Sequence, residues 1–421
     1  SQWNTMSVDG LAGNNPAATN TFGSTISLDA IAEVKVQAGN YQAEYGRNGG
    51  SYINLVTKSG SKEFHGSAYW YVRNEDFNAN DFFNNLTGQP RPLYRYNTEG
   101  FTLGGPLPVS RFIPRTKDRL FFFYSFEDLQ TKSPQALRQV TVPTALERAG
   151  NFSQTLDLNG AVIPIKDPLT GTPFPGNIIP ANRMSPNGVG MLNVFPLPNA
   201  LNRNLTKGNY NYQFQESLNV PKNQNLFRTD YRATDKDMFF FRGAIWNSDT
   251  QGSAVPAGAS NWGLLKQHYA YSDESAVFNY THIFSPSIVN EFQAGAHYDL
   301  ENGPPLSSTE LAKVQRSTYG ITMGQFSPQW NTLNVVPQAT FGGVPNAAAI
   351  TFDGRWPLRG SDTNFDFSDG LTWVRGAHTL KFGIYLQRLR NEEGRQGTFS
   401  GNFDFSRNIT NPNDTNYAYS N

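Results

Sequence analysis

An all-β fold is predicted for this chain: a partial antiparallel up-and-down transmembrane β-barrel of about nine strands. Three observations carry the prediction. Segments that alternate apolar and polar residues recur along the chain, which is the period of a strand with one greasy side. The connections between those segments alternate between longer and shorter, as outer loops and inner turns do in such barrels. No stretch approaches the roughly 18 to 20 consecutive apolar residues of a membrane helix, but a barrel strand needs only every second residue to be apolar.

In chain order, the opening residues Ser1-Gln-Trp-Asn-Thr-Met6 lack a basic end, an apolar centre and a small-residue cleavage site, so no signal peptide is expected. A compact, glycine-punctuated unit precedes the first strand. Short helices are expected only near 27–31, 144–149 and 308–314. Strands are expected over 64–73, 97–105 and 119–129, from 227, over 237–247, 271–283, 288–298 and 364–374, and from 379. The cleanest alternations place Phe227, Thr229 and Tyr231 opposite Arg228, Asp230 and Arg232, and Leu380, Phe382, Ile384 and Leu386 opposite Lys381, Gly383, Tyr385 and Gln387. Leu120, Phe122, Tyr124 and Phe126 give another strand an aromatic outer face. Asp369 falls on the apolar parity of its strand, making that strand the least secure.

The connections 74–96, 131–225, 248–270 and 300–363 are the longer ones, and they carry the Pro, Asn and Gly. The shorter ones include Thr234-Asp235-Lys236-Asp237, Ser285-Pro286-Ser287 and Val374-Arg375-Gly376-Ala377-His378, with residues suited to tight reversals. Long unstructured connections are unusual in ordinary globular domains. An odd strand count ending in a polar tail cannot close a single-chain bacterial barrel, so a fragment at both ends is expected. Left unclosed, such a sheet is not expected to fold alone in water.

Composition excludes several classes. Lys plus Arg and Asp plus Glu each number 34, without the basic excess of a nucleic-acid surface, and the absence of Cys removes thiolate metal sites and disulfides. The histidines His65, His268, His282, His297 and His378 show no helical ligand spacing, so no metal site is expected. No nucleophile elbow, phosphate loop or dinucleotide fingerprint occurs, and Asp235 with Asp237 reads as turn capping. Hence no catalytic residue and no cofactor site is predicted.

The stretch Ile31-Ala-Glu-Val-Lys-Val-Gln37, Glu44-Tyr45-Gly46-Arg47, Gly49-Gly50-Ser-Tyr-Ile-Asn54-Leu-Val-Thr57-Lys58-Ser59-Gly60, Phe64-His65-Gly66-Ser67, Arg73-Asn74 and Asn80-Asp81-Phe82-Phe83 resembles the plug-to-barrel junction of TonB-dependent outer-membrane receptors. The resemblance is to the Oar-like group with carboxypeptidase-regulatory-like domains. Val8-Asp9-Gly10 is similar to a plug strand end in that group. Phe101-Thr-Leu-Gly104-Gly105-Pro106-Leu107 with Lys117-Asp118-Arg119 resembles its second strand, turn and third strand.

The resemblance implies the C-terminal part of a plug over residues 1–60 and the first part of a barrel over 61–421. Plug scaffold would then include Glu44, Tyr45, Gly46, Gly49, Gly50, Asn54 and Lys58, with the glycines allowing positive φ or close approach. Arg228, Asp230, Arg232 and Lys381, on inward parities, would line a ligand path or pair with the plug. Implied partners are outer-membrane lipid, the TonB system through a segment preceding the plug, and an extracellular ligand such as an oligosaccharide, peptide or chelate. The implied function is uptake across the outer membrane of a Gram-negative bacterium. An adhesin using the barrel as anchor and a secreted all-β carbohydrate-binding domain are the alternatives.

Overall fold

The computed structural model describes residues 4–12, 26–39, 42, 45, 50–108, 116, 118–253, 260–353, 356–394 and 399–405. Strands β1 (Thr5–Val8), β2 (Leu11–Ala12), β3 (Ile31–Gln37) and β4 (Tyr52–Thr57) form a small sheet in the order β2-β1-β4-β3. Strand β1 runs parallel to β4, and the other two pairs are antiparallel.

The wall follows. Strands β5 (His65–Asn74), β6 (Arg95–Pro106) and β7 (Leu120–Pro134) lead to an outer loop carrying β8 (Arg138–Val140) and β9 (Tyr212–Phe214). Then come β10 (Ser217–Arg232), β11 (Asp237–Gly252), β12 (Gln267–Ser285), β13 (Ile288–Gly303), loop strand β14 (Gln338–Phe341), β15 (Leu358–Arg375), β16 (His378–Glu393) and β17 (Asn402–Phe405). Nine of these form one antiparallel sheet in the order β16-β15-β13-β12-β11-β10-β7-β6-β5, each strand beside its sequence neighbour in the wall. The sheet is open, with β5 and β16 at its edges among the described residues.

All nine expected wall strands are present, and most are longer than the alternation indicated. Strand β10 begins at Ser217, so its outer half, expected to be loop, is strand. The reason is tertiary: Leu218 to Gln224 are mostly polar, yet they pair with β7 from Ser133 to Glu127. Pro221 has no N–H, and pairing to β11 is interrupted between Asn219 and Lys222.

Period two sorts the side chains as expected. An outer cross-strand row near the short turns runs Leu120, Tyr231, Phe239, Tyr280, Phe292, Asp369 and Ile384. This is an aromatic girdle, in which Phe239 and Tyr280 stack at 4.6 Å. Asp369 does face outward, yet its strand is fully formed, and Asn290 Nδ2 donates to Asp369 Oδ1 at 2.8 Å. Phe123 points inward instead and is buried against Ala30 and Leu226.

The outer loops fold. Val140, Val142, Met191, Val194 and Phe195 of one loop, Trp262, Leu264 and Leu265 of the next, and Val314, Val335, Ile350 and Trp356 of a third form one hydrophobic core, which Phe399 joins from beyond β16. Thr141 Oγ1 donates to Pro345 O at 2.6 Å, and Trp262 Nε1 to Ala349 O at 2.7 Å. Strands β14 and β17 pair in parallel across the same cap. The three expected short helices appear as a single 3-10 turn at Leu28–Ala30 and short α-helices at Ala145–Arg148 and Ser308–Ala312, and the loops hold further short helices that were not expected, at Phe82–Leu86, Pro186–Leu192 and Arg203–Thr206. Thr144 and Glu147 close a capping box on Ala145–Arg148.

Candidate functional site: the hairpin dock on the inner wall

Val8-Asp9-Gly10-Leu11 is a two-residue hairpin. Val8 pairs with Leu11, and both central residues have positive φ, 50° at Asp9 and 85° at Gly10. That is the type I′ geometry for which Asp-Gly is suited. Asn54 braces the hairpin from β4, its Oδ1 accepting from Ser7 Oγ at 2.8 Å and from Gly10 N at 3.2 Å.

The hairpin presses on the inner face of three wall strands, β10, β11 and β13. Asp9 Oδ1 accepts from Thr57 N at 2.9 Å and Asp9 Oδ2 from Thr57 Oγ1 at 2.8 Å. Arg228 Nη1 from β10 reaches Asp9 Oδ1 at 3.3 Å, and Arg242 Nε from β11 lies 3.3 Å from Asp9 Oδ2. The Asp9 and Arg242 side chains are 2% and 1% exposed. From β12, Ser275 Oγ accepts from Arg242 Nη1 at 2.8 Å, and from β13, Gln293 Nε2 donates to Asp9 O at 2.6 Å. Gly295 leaves room for Leu11, whose Cδ1 a Cβ at that position would strike.

Buried charge must be paired, and here one hairpin carboxylate meets two wall guanidiniums. Arg228 is further held by a bidentate pair with Asp230, Nε to Oδ2 at 3.0 Å and Nη2 to Oδ1 at 2.8 Å, and lies 4.3 Å over the Phe240 ring.

Two further contacts tie the small sheet to distant parts of the wall. Ser27 Oγ lies 3.0 Å from Tyr69 OH on β5 and donates to Glu127 Oε2 on β7 at 3.1 Å. Lys381 Nζ on β16 donates to Gln42 Oε1 at 2.8 Å. Contacts on inward parities from β5 to β16 mean that the wall curls around the hairpin unit. At the crossover, a Cβ on Gly60 would lie 2.7 Å from Gly105 O and collide with Phe122 O.

Arg228 and Asp230 therefore stand at the dock and Lys381 at a separate tether, while Arg232 is exposed at the base of β10. Tyr45 packs on Tyr52 at 4.8 Å, Gly50 precedes β4, Asn54 braces the hairpin and Lys58 N donates to Ala30 O at 2.8 Å. Glu44, Gly46 and Gly49 lie outside the described residues. Sequence reasoning missed Arg242, Thr57, Ser275 and Gln293 as site residues. The available signal was Arg242 itself, a lone charge on the inward parity of β11 between Phe240 and Ala244. Among the described residues no group of three or more His, Asp or Glu is arranged to hold a metal ion.

A wall of long antiparallel strands, apolar and aromatic outside, curled around a small sheet that it meets through buried ion pairs, is that of a transmembrane β-barrel. The family described as outer membrane β-barrel domain matches residues 56–421, and the chain belongs to it. Its place is the Gram-negative outer membrane. It is 37% identical over 127 residues to the TonB-dependent transporter Oar of Myxococcus xanthus, a match covering 28% of this chain and 11% of that protein. The structure resembles that of the outer membrane transporter YddB from Escherichia coli with a TM-score of 0.51 and 11% identity, over 93% of this chain and 41% of that one. Each of these two matches takes in less than half the length of the protein concerned.

Proposed function

We propose that this chain is the plug end and first barrel part of a TonB-dependent receptor that takes up a large ligand across the outer membrane. On this reading the plug ends near residue 60 and the barrel begins at 61, and the Asp9 dock is the latch that keeps the channel shut. The reading is carried by one observation, the buried Asp9 carboxylate of the plug hairpin held by Arg228 and Arg242 of the wall across their interface. Force transmitted through TonB to the plug would separate these charges, which water in the lumen would then solvate, so opening is a conformational gate without covalent chemistry.

Arg228 and Asp230 serve the latch, Lys381 a second tether, and the folded cap is the surface that first meets the extracellular ligand. The likeness to a transporter supports this over catalysis, and membership of an outer-membrane family sets aside the secreted-domain alternative. The test is ligand uptake by cells expressing the parent receptor, with and without TonB. Uptake that requires TonB and rises in leak assays on Asp9→Asn supports the reading. Uptake indifferent to TonB defeats it.

A further inference from the structure

The geometry points to a docking groove for one membrane lipid on the outer face of the wall, and to a lipid whose headgroup ends in an ammonium. The cross-strand row Gly243, Ala276 and Ala296, on β11, β12 and β13, lies on the outward parity. Phe227 of β10 pairs with Gly243 at one end of this row and Phe365 of β15 with Ala296 at the other, and these rings are 39% and 43% exposed. Small side chains between two aromatic walls leave a groove of about 500 Å³. Packing does not require the glycine, because a Cβ on Gly243 would meet only the Phe241 ring, at 3.8 Å. The groove lies in the middle of the sheet, away from the open edges β5 and β16.

Its depth follows from strand geometry. From Phe284 near the short turns to Glu274, β12 rises about 34 Å along its own axis. At the tilt of a barrel strand that is about 25 Å of height, the thickness of the apolar band, so Glu274 marks the upper rim. Glu274 is exposed there, between its partners Ile245 and Tyr298 and one row above Ala276. Neither the Glu274 nor the Tyr298 side chain has a hydrogen-bond partner among the described residues. Toward the loops a second groove of about 400 Å³ continues the first, with Asn223, Asn247 and Ser272 in its lowest outward row. Its carboxylates are taken up locally, Asp128 Oδ2 by Gln130 Nε2 at 2.9 Å and Asp249 Oδ2 by His268 Nδ1 at 2.8 Å. Lys222 also borders this groove, but on the inward parity, with Nζ 5.9 Å from the centre of the Trp246 ring.

An apolar trough that opens upward into a polar one fits an amphiphile lying along the wall, its acyl chain over Gly243, Ala276 and Ala296 and its headgroup at the rim. Membership of the outer-membrane family supplies the bilayer. The rim selects the headgroup. A purely anionic lipid would bring its phosphate beside the Glu274 carboxylate, with no Lys or Arg of the lining residues facing outward to receive it. A zwitterionic aminolipid brings positive charge and three N–H donors to Glu274, and the Tyr298 hydroxyl is free to donate to the adjoining phosphate. The site faces the bilayer and not the lumen, so it stands apart from the latch and from uptake.

The test is native mass spectrometry of the full chain in detergent micelles, with dipalmitoylphosphatidylethanolamine or dipalmitoylphosphatidylglycerol added as probe. The two lipids share their chains and differ in the headgroup. The ethanolamine lipid is retained about tenfold more tightly than the glycerol lipid, as for one charge-assisted hydrogen bond. Glu274→Gln brings the two to equal retention. Ala276→Phe fills the trough and releases both, whereas Phe382→Ala, on the outer face of β16 and outside the groove, changes neither. Circular dichroism of each variant comes first. If Ala276→Phe misfolds, Ala296→Phe fills the same floor from β13, and if both misfold, Glu274→Gln decides, since its side chain is exposed. Equal retention of the two lipids by the wild type, a preference that survives Glu274→Gln, or retention indifferent to the filled trough overturns the proposal.

Discussion

Asp9→Asn tests the latch with the least disturbance. The amide keeps an oxygen for Thr57, which the carboxylate holds at 2.8 and 2.9 Å, but removes the charge that faces Arg228 and Arg242, each at 3.3 Å. Arg228 retains its bidentate pair with Asp230, so the uncompensated charge falls on Arg242, 1% exposed. Removing one partner of a buried pair costs about 3–5 kcal/mol. The lower figure applies here because Ser275 still accepts from Arg242. About 3 kcal/mol is a factor of roughly one hundred in the equilibrium between docked and undocked plug. Hydrogen exchange of peptides covering 4–12 and 50–58, followed by mass spectrometry in micelles, reads that equilibrium through the amides of Asp9 and Thr57, which donate to Leu55 O and to the Asp9 carboxylate. Exchange should accelerate by about that factor in Asp9→Asn and stay unchanged in Arg232→Ala, whose side chain is exposed. Equal exchange in wild type and Asp9→Asn would refute the latch.

Trp356→Ala, in the centre of the cap core, should cost about 3–5 kcal/mol and expose 135–216 to protease while the wall stays resistant; equal protection of both would show that the cap is not a separate unit. Gly60→Ala should lower the thermal midpoint, since its Cβ meets backbone carbonyls that cannot rotate away, at a cost of about 1–3 kcal/mol, and an unchanged midpoint contradicts the close approach. In the outer loop, the Arg183 guanidinium holds the Asp167 carboxyl below the ordinary value of 3.8. A folded-state pKa lowered in this way stabilises above pH 3.8, and the contribution fades as pH falls through the lower folded value. Proteolysis of 165–184 at neutral pH and near pH 3 should therefore show a smaller acid-induced change in Arg183→Ala than in wild type.

Period-two alternation is a local property, so the sequence alone was enough to place the nine wall strands and to sort Phe227 from Arg228 and Phe382 from Lys381. It also marked the short turns, because Thr234-Asp235-Lys236-Asp237 and the turn at Gly376 carry their chemistry within a few residues. Val8-Asp9-Gly10 was legible only as a strand end, through its resemblance to a plug segment. What it grips was not: Arg228 lies 219 positions away, and nothing in either segment names the other. The cap was read as loop because Val140, Trp262, Val335 and Trp356 show no common period. They become a core only when three loops converge above the sheet. Alternation settles which face a side chain takes, and only the closure of distant segments on one another decides which charge it meets there.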